Sequence, residues 1–289
     1  MLLNGKDSLA YLKRARDEKF AIGAFNVFDY MTYEATVRAA EELGVPVMIS
    51  TWDYYDPNAP EGVGMSAFAA MNLTNFIIQR GKDSTVPVIL HLDHTPSYEG
   101  CVRGIQAGNA SVMIDASMKP LEENIALTKK VVEAAHPCGV IVEGEIGHVT
   151  GHANSTGAVY TDVESAKEYA AKSGIDMVAV SIGTIHGVYA SEPVLNYERI
   201  SELREALDVP LVMHGSSGLK PDQYIDVIKN GITKINFGTY TQLTAGKATY
   251  EAALKNPERI QYNAIVSAGL RAAVDYLKEH MVLFGTKKY

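Results

Sequence analysis

Eight times along the chain, a short apolar run rich in Val, Ile, Ala and Met is followed by a longer stretch of helical spacing, and this alternation limits the fold more than anything else. The runs are 21–27 (AIGAFNV), 45–50 (VPVMIS), 86–93 (VPVILHLD), 111–115 (SVMID), 139–147 (GVIVEGEIG), 176–183 (DMVAVSIG), 209–215 (VPLVMHG) and 231–238 (GITKINFG). Strands alternating with helices predict βαβ units and a parallel sheet. The runs are apolar almost throughout rather than alternating, as strands buried on both faces are. Eight units in a chain of 289 residues fit a (β/α)8 TIM barrel, an α/β fold of about 250 residues. The rival is a doubly wound open sheet, but the first run lacks the GxGxxG turn of that fold. A helix over 8–18 precedes the first run and another, over about 259–280, follows the eighth unit. The expectation is one barrel domain over 1–289 with extra N-terminal and C-terminal helices.

Composition narrows the function classes. With 47% hydrophobic and 21% charged residues the chain has enough apolar side chains for a sizeable core, and its net charge of −8 argues against a nucleic-acid partner. No run reaches the roughly 18 apolar residues of a membrane span, and the polar start MLLNGKDSLAYLKRARDEK is not a secretory signal. Cys101 and Cys138 stand in unrelated contexts, which predicts reduced thiols and a cytoplasmic protein.

A barrel places its functional residues where the strands end and in the loops that follow. Asp93 and His94 end the third run, Asp115 the fourth and Glu145 the fifth; His186 follows the sixth, His214 ends the seventh and Asn236 the eighth. Three imidazoles with the remaining positions open are the layout of a catalytic zinc site, so His94, His186 and His214 are the candidate ligands. Strand neighbours point to opposite faces. Asp93 and His94 therefore both reach the mouth only if the strand ends there, and Thr95-Pro96 supplies a break. Asp93 is placed either to move a proton or to orient His94. Asp115 and Glu145 either bind metal in a second position or hold its ligands. His91, His136, His148, His152 and His280 lack this context and are read as structural or surface residues. The small-residue loop GSSG (215–218), with Asn236, Phe237, Gly238 and Thr239 on the next strand, predicts a phosphate cradle built from N–H groups and hydroxyls.

The chain resembles the class II, metal-dependent ketose-bisphosphate aldolases, which include fructose- and tagatose-bisphosphate aldolases. The resemblance runs from AFNV (24–27) to KINFGT (234–239) and rests on HLDH (91–94), SVMIDAS (111–117), EGEIG (143–147), GTIHGVY (183–189) and MHGSSG (213–218) in that order. It implies a catalytic Zn2+ on His94, His186 and His214, and Asp93 as proton donor and acceptor. It implies that Gly187, Gly215, Ser216, Ser217 and Asn236 to Thr239 hold the phosphate end of dihydroxyacetone phosphate. It further implies a second, divalent or monovalent, cation at Asp115 and Glu145 in some members, and a homodimer or homotetramer. In the implied reaction the C3–C4 bond of a ketose phosphate breaks, and Asp93 takes the C4 hydroxyl proton and returns it in condensation.

The sequence also departs from that family pattern. Ala190 stands where fructose-specific members usually carry a lysine, Gly238 where Asp or Ala is usual, and Trp52 where a small hydroxyl residue often meets the aldehyde half. The loop after Glu145 lacks the Gly-Gly-x-Glu-Asp pattern; it reads TGHAN over 150–154. Two rival readings follow. One is a Schiff-base aldolase using Lys234, which shares strand parity with Asn236. The other is a catalytically weak sugar-phosphate sensor on the same scaffold, which the missing loop acid and Trp52 favour and the intact Asp93 and histidines oppose.

Overall fold

A computed structural model describes residues 1–53, 67–149 and 160–289. Its eight strands are β1 (Ile22–Asn26), β2 (Val47–Thr51), β3 (Val88–Thr95), β4 (Ser111–Ile114), β5 (Ile141–Ile146), β6 (Met177–Val180), β7 (Leu211–Met213) and β8 (Ile232–Phe237). Every neighbouring pair is parallel, and β8 returns to β1, so the sheet is a closed barrel in sequence order. The helices alternate with the strands: α1 (Gly5–Glu18), α2 (Tyr30–Leu43), α3 (Ala67–Asp83), α4 (Tyr98–Gln106), α5 (Leu121–Ala135), α6 (Val163–Ser173), α7 (Tyr197–Ala206), α8 (Pro221–Asn230), α9 (Thr239–Leu254) and α10 (Tyr262–Leu283). The expected TIM barrel is the observed fold, with α1 and α10 as the extra helices. Among the described residues no helix is long and apolar enough to cross a membrane.

Local chemistry sets the helix ends. Asn4, Ser97, Asp162 and Asn196 cap α1, α4, α6 and α7 by accepting first-turn N–H groups, which otherwise lack a partner. Gly44 and Gly174, in the left-handed region, end α2 and α6. The helix expected beyond Pro221 starts on that proline, whose missing N–H costs nothing at the first position.

Two apolar layers result. Inside the lower barrel, Ile22, Met48, Ile89, Met113, Ile141 and Met177 meet the buried Tyr11, Leu12 and Ala15 of α1, which plugs this end. Outside, the strands' other faces pack under the helix ring. There α10 covers the β8 side: Phe237 lies against Phe25, Tyr224, Tyr276, His280 and Phe284. The lower end is thus sealed, and the upper end is left for polar groups.

Candidate active site

A bulge builds the centre of the site. β3 does not stop at Asp93 as expected; it runs to Thr95, with its register to β4 shifting between Leu92 and Thr95. His94 sits there at φ 41°, a left-handed conformation that a residue with a Cβ adopts at a cost. Period two keeps His91 and Asp93 on the inner face, and the bulge turns His94 to the same end. The extra residue, rather than the Thr95-Pro96 break, therefore lets two neighbours reach the mouth.

His94, His186 and His214 converge. The Nε2 of His94 lies 3.2 Å from Nε2 of His186 and 2.8 Å from Nδ1 of His214. The far nitrogens are occupied: His94 Nδ1 is 3.0 Å from Asp115 Oδ2, and His214 Nε2 is 2.8 Å from Glu143 Oε1. A ring nitrogen facing a carboxylate carries the proton, so the converging nitrogens of the neutral rings hold lone pairs, the tautomers a metal ligand needs. Lone pairs pointed at one another suit a shared cation, and tetrahedral zinc would set such nitrogens about 3.3 Å apart. The potential agrees. Burial alone would lower His94, but Asp93, Asp115 and Glu145 outweigh it and raise it to about 9, so with no metal bound this ring holds the positive charge that a metal ion would replace. Burial, then the His94 and His214 charges, push His186 down to about 3, which leaves it neutral. The donor set fits a metal ion.

Asp93 is held as a carboxylate. Asn26 donates to its Oδ2 at 2.7 Å, and Asn236 donates to both oxygens at 2.9 and 3.0 Å. Burial works against its charge, yet His94, His91, His214 and Lys234 prevail and keep it well below the usual carboxylate range. Under it lies a chain of buried ions: Lys234 Nζ meets Glu143 Oε2 at 2.8 Å and donates to Asn236 Oδ1 at 2.6 Å. His91 donates or accepts at Ser111 Oγ, 2.8 Å away, and faces Lys234 at 3.4 Å. Lys234 is thus a fully buried, paired ammonium beneath the cavity rather than a free amine lining it. The Schiff-base reading has no support in this geometry.

Asp115 and Glu145 come together beside His94 but on its far side, where the three groups offer a second set of cation-ligand atoms. Asp115 also accepts from the Ser117 hydroxyl at 2.7 Å. Glu145 Oε1 accepts from the Val149 N–H at 3.0 Å, while its buried Oε2 has no hydrogen-bond partner among the described residues. Burial, then the Asp115 charge, raise Glu145 to about 8.

Most of the residues expected to form a phosphate cradle lie together, with two corrections. Gly187, Gly215, Ser216, Ser217, Gly238, Thr239 and the Asn236 amide line one cavity with the three histidines and Asp93. Phe237 does not: its ring faces outward into the aromatic cluster under α10, as the parity of β8 demands. The Ser216 hydroxyl is also spent, donating to the Asn236 carbonyl. Ser217 Oγ accepts from the Gly238 N–H at 3.3 Å, and no side chain caps α9, whose first turn opens here. Gly238 has a steric reason: a Cβ would lie 2.8 Å from Asn26 Oδ1 and push away the amide that holds Asp93. Gly215 combines φ +65° with the Ile185 backbone 2.5 Å from its absent Cβ.

Trp52 forms a wall, its ring nearly parallel to His94 at 14° and 6.1 Å. The sequence reading gives no site role to Asn26, His91, Glu143 or His148, and gives Lys234 one only as a rival nucleophile. Asn26 ends β1 as Asn236 ends β8, so the rule that found one would have found the other. His148, read as structural or surface, lines the mouth and lies 3.0 Å from Ser117 Oγ. His136 is the surface residue expected, paired with Asp176 at 2.9 Å. His152 and the rest of 150–154 lie outside the described residues.

The barrel's mouth brings together three histidines, a carboxylate and a loop of glycines and serines, and comparison with known proteins gives the class, the carbon–carbon lyases called aldolases, and the family. The sequence model of "Fructose-bisphosphate aldolase class-II" matches residues 6–288, and the chain belongs to that family of aldolases. It is 35% identical over 263 residues to a fructose-bisphosphate aldolase of Geobacillus stearothermophilus, covering 89% of each chain. It is also 35% identical over 277 residues to a 6-phospho-5-dehydro-2-deoxy-D-gluconate aldolase of Bacillus licheniformis, covering 95% of this chain and 93% of that one. The crystal structure of the YdjI aldolase from Escherichia coli K12 superposes with a TM-score of 0.84 at 34% identity, over 99% of this chain and 98% of that one.

Proposed function

We propose that this aldolase is zinc-dependent and reversibly cleaves a ketose phosphate to dihydroxyacetone phosphate and an aldehyde. The observation that carries the reading is the trio of ring nitrogens, with the tautomers of His94 and His214 set by Asp115 and Glu143, directly beside the amide-clamped Asp93. A divalent ion on His94, His186 and His214 supplies Lewis acidity at the ketose oxygens. Asp93 accepts the C4 hydroxyl proton as C4 becomes a carbonyl, and the electron pair of the C3–C4 bond stays with C3. In condensation Asp93 returns the proton to the aldehyde oxygen. Asn26 and Asn236 keep the carboxylate aimed and ionised while it waits. Ser217 and the backbone of Gly187, Gly215, Ser216, Gly238 and Thr239 hold the phosphate. Asp115 orients His94, and with Glu145 it takes a second cation. The two relatives named above act, by their names, on different sugar phosphates, so membership of the family leaves the sugar open.

We place the enzyme in the cytoplasm as a homodimer or homotetramer. The exposed Leu243, Tyr250, Leu254 and Tyr262 of α9 and α10 support self-association, which light scattering tests. The catalytic claim is tested by release of dihydroxyacetone phosphate from fructose and tagatose bisphosphates and several ketose 1-phosphates, with zinc-loaded protein and with chelator. Chelator-sensitive cleavage of at least one substrate is expected. Cleavage that survives complete metal removal, or a borohydride-trapped lysine adduct, sinks the zinc reading.

A further inference from the structure

The two ends of the active-site cavity differ in what they offer an anion. Beside the phosphate cradle, sharing Asn26, Trp52, His94, His186, Gly187 and Thr239 with it, lies a recess of about 340 Å3 whose other walls are Phe28, Asp115, His148 and Val149. Among the described residues no lysine or arginine lines either cavity. The sequence extends the observation to the whole rim. Across the eight connections that leave the C-terminal ends of the strands, acidic residues outnumber basic ones seven to two, and 54–66 and 150–159 contain neither Lys nor Arg. The two basic residues are Lys119, on an exposed turn, and Lys220, which is paired with Glu192 at 2.7 Å. A phosphate can also be held by a helix N-terminus, and the helix that follows Phe28 is α2. Its start already holds a carboxylate of the chain itself: Asp29 accepts the Thr32 N–H at 2.7 Å, and the Phe28 and Asp29 N–H groups donate to Thr32 Oγ1 at 2.9 and 3.0 Å.

We infer that the aldehyde half of the substrate carries no phosphate, so that the enzyme acts on a ketose 1-phosphate of an uncharged aldehyde rather than on a bisphosphate. The inference rests on the aldolase reading above and adds the chemistry of the second subsite. A phosphate dianion entering this recess would leave water for a lining that includes the Asp115 carboxylate and, among the described residues, no lysine or arginine to compensate it. An uncharged polyhydroxy aldehyde fits what is there. Its carbon skeleton packs on Phe28, Trp52 and Val149, and its hydroxyls can meet Asp115, His148 and Thr239, which line the same recess.

Two measurements separate this inference from the reading it rests on. Exchange of a carbon-bound proton of dihydroxyacetone phosphate into D2O, followed by NMR with the zinc-loaded protein, needs only the cradle half. Condensation of dihydroxyacetone phosphate with D-glyceraldehyde or with D-glyceraldehyde 3-phosphate interrogates the recess. The expected result is exchange, with kcat/KM at least about tenfold higher for the unphosphorylated aldehyde. Exchange with equal or better use of the phosphorylated aldehyde overturns the inference, because a cation then reaches the recess from elsewhere, a second copy of the chain included. No exchange at all removes the aldolase reading itself, and the inference with it. Phe28→Lys should raise kcat/KM for the phosphorylated aldehyde about tenfold relative to the other; an unchanged ratio in a folded, zinc-bearing Phe28→Lys protein also overturns it.

Discussion

The barrel has two interiors stacked on the same strands, and they obey opposite rules. Along β3 the inward residues are Ile89, His91 and Asp93; along β5 they are Ile141, Glu143 and Glu145. One step of period two turns an apolar layer into an ionic one, with both equally removed from water: Ile89, His91 and Glu143 are all fully buried. The lower layer is held by transfer of apolar surface and close packing. The upper layer costs desolvation and is tolerated because each charge meets its opposite, as Glu143 does with Lys234 and His214. Burial therefore does not distinguish core from site here; the pairing of polar groups does.

The sharpest break between the layers should come from the histidines. His214→Ala removes a convergent nitrogen and leaves the buried Glu143 carboxylate short of a partner. We expect loss of bound zinc by elemental analysis and a fall in kcat/KM of about 10³-fold or more. Asp93→Asn should cost about 10² to 10⁴ in kcat while zinc content stays near that of the parent, because Asp93 touches Asn26 and Asn236 rather than the convergent nitrogens. Zinc loss in the Asp93 variant would mean that it is a metal-site residue and not the proton carrier.

Much of this division is legible in the sequence, and the parts that are not have physical causes. Strand period and rim position locate His94, His186, His214, Asp93 and Asn236, because a histidine or carboxylate at the end of an apolar run stands out from its neighbours. The same logic misplaces Phe237, since a six-residue strand alternates inside and outside whatever motif it belongs to. It also missed Lys234 as a buried ion, because its partner Glu143 comes from a strand 91 residues earlier in the chain. The bulge at His94 was invisible for a different reason: a left-handed residue with a Cβ is fixed by the pairing of β3 with β4 and leaves no compositional trace. Asn26 needed no new signal, only the same rule applied to β1.

Smaller effects sharpen the contrast. Glu143→Gln leaves the Lys234 ammonium buried without its counter-charge, and we expect about 3–5 kcal/mol of lost stability. It also weakens the orientation of His214, so zinc affinity should fall about 10- to 100-fold. Ile89→Ala, one step down β3 from His91, should destabilise by a similar ~2–5 kcal/mol through the cavity it leaves. Zinc affinity and kcat of the folded fraction should be unchanged, because Ile89 packs in the apolar floor beside Met48. Denaturant titration alongside zinc competition separates the two; a matched loss of zinc affinity in the Ile89 variant would show that the layers are coupled.

The smallest effect compares an ion pair inside the barrel with one outside it. Arg80 bridges Glu34 and Glu41 between α3 and α2, with Nη2 2.7 Å from Glu41 Oε2 and about a fifth of each side chain still exposed. The Arg80 hydrogen bond, with a further one from the Thr85 N–H, holds Glu41 down at about 2 against a usual 4.5. A carboxyl depressed on folding contributes stability above its unfolded value and loses it as pH falls through the folded one. The contribution should thus be whole above pH 4.5 and fade towards pH 2. Water at this surface screens the pair, so Glu41→Gln should cost about 0.5–1 kcal/mol at pH 7. It should also reduce the difference in stability between pH 6 and pH 3 by a similar amount, read as the shift in the urea midpoint. A loss as large as that of Glu143→Gln would show that solvent exposure does not set the worth of an ion pair in this barrel.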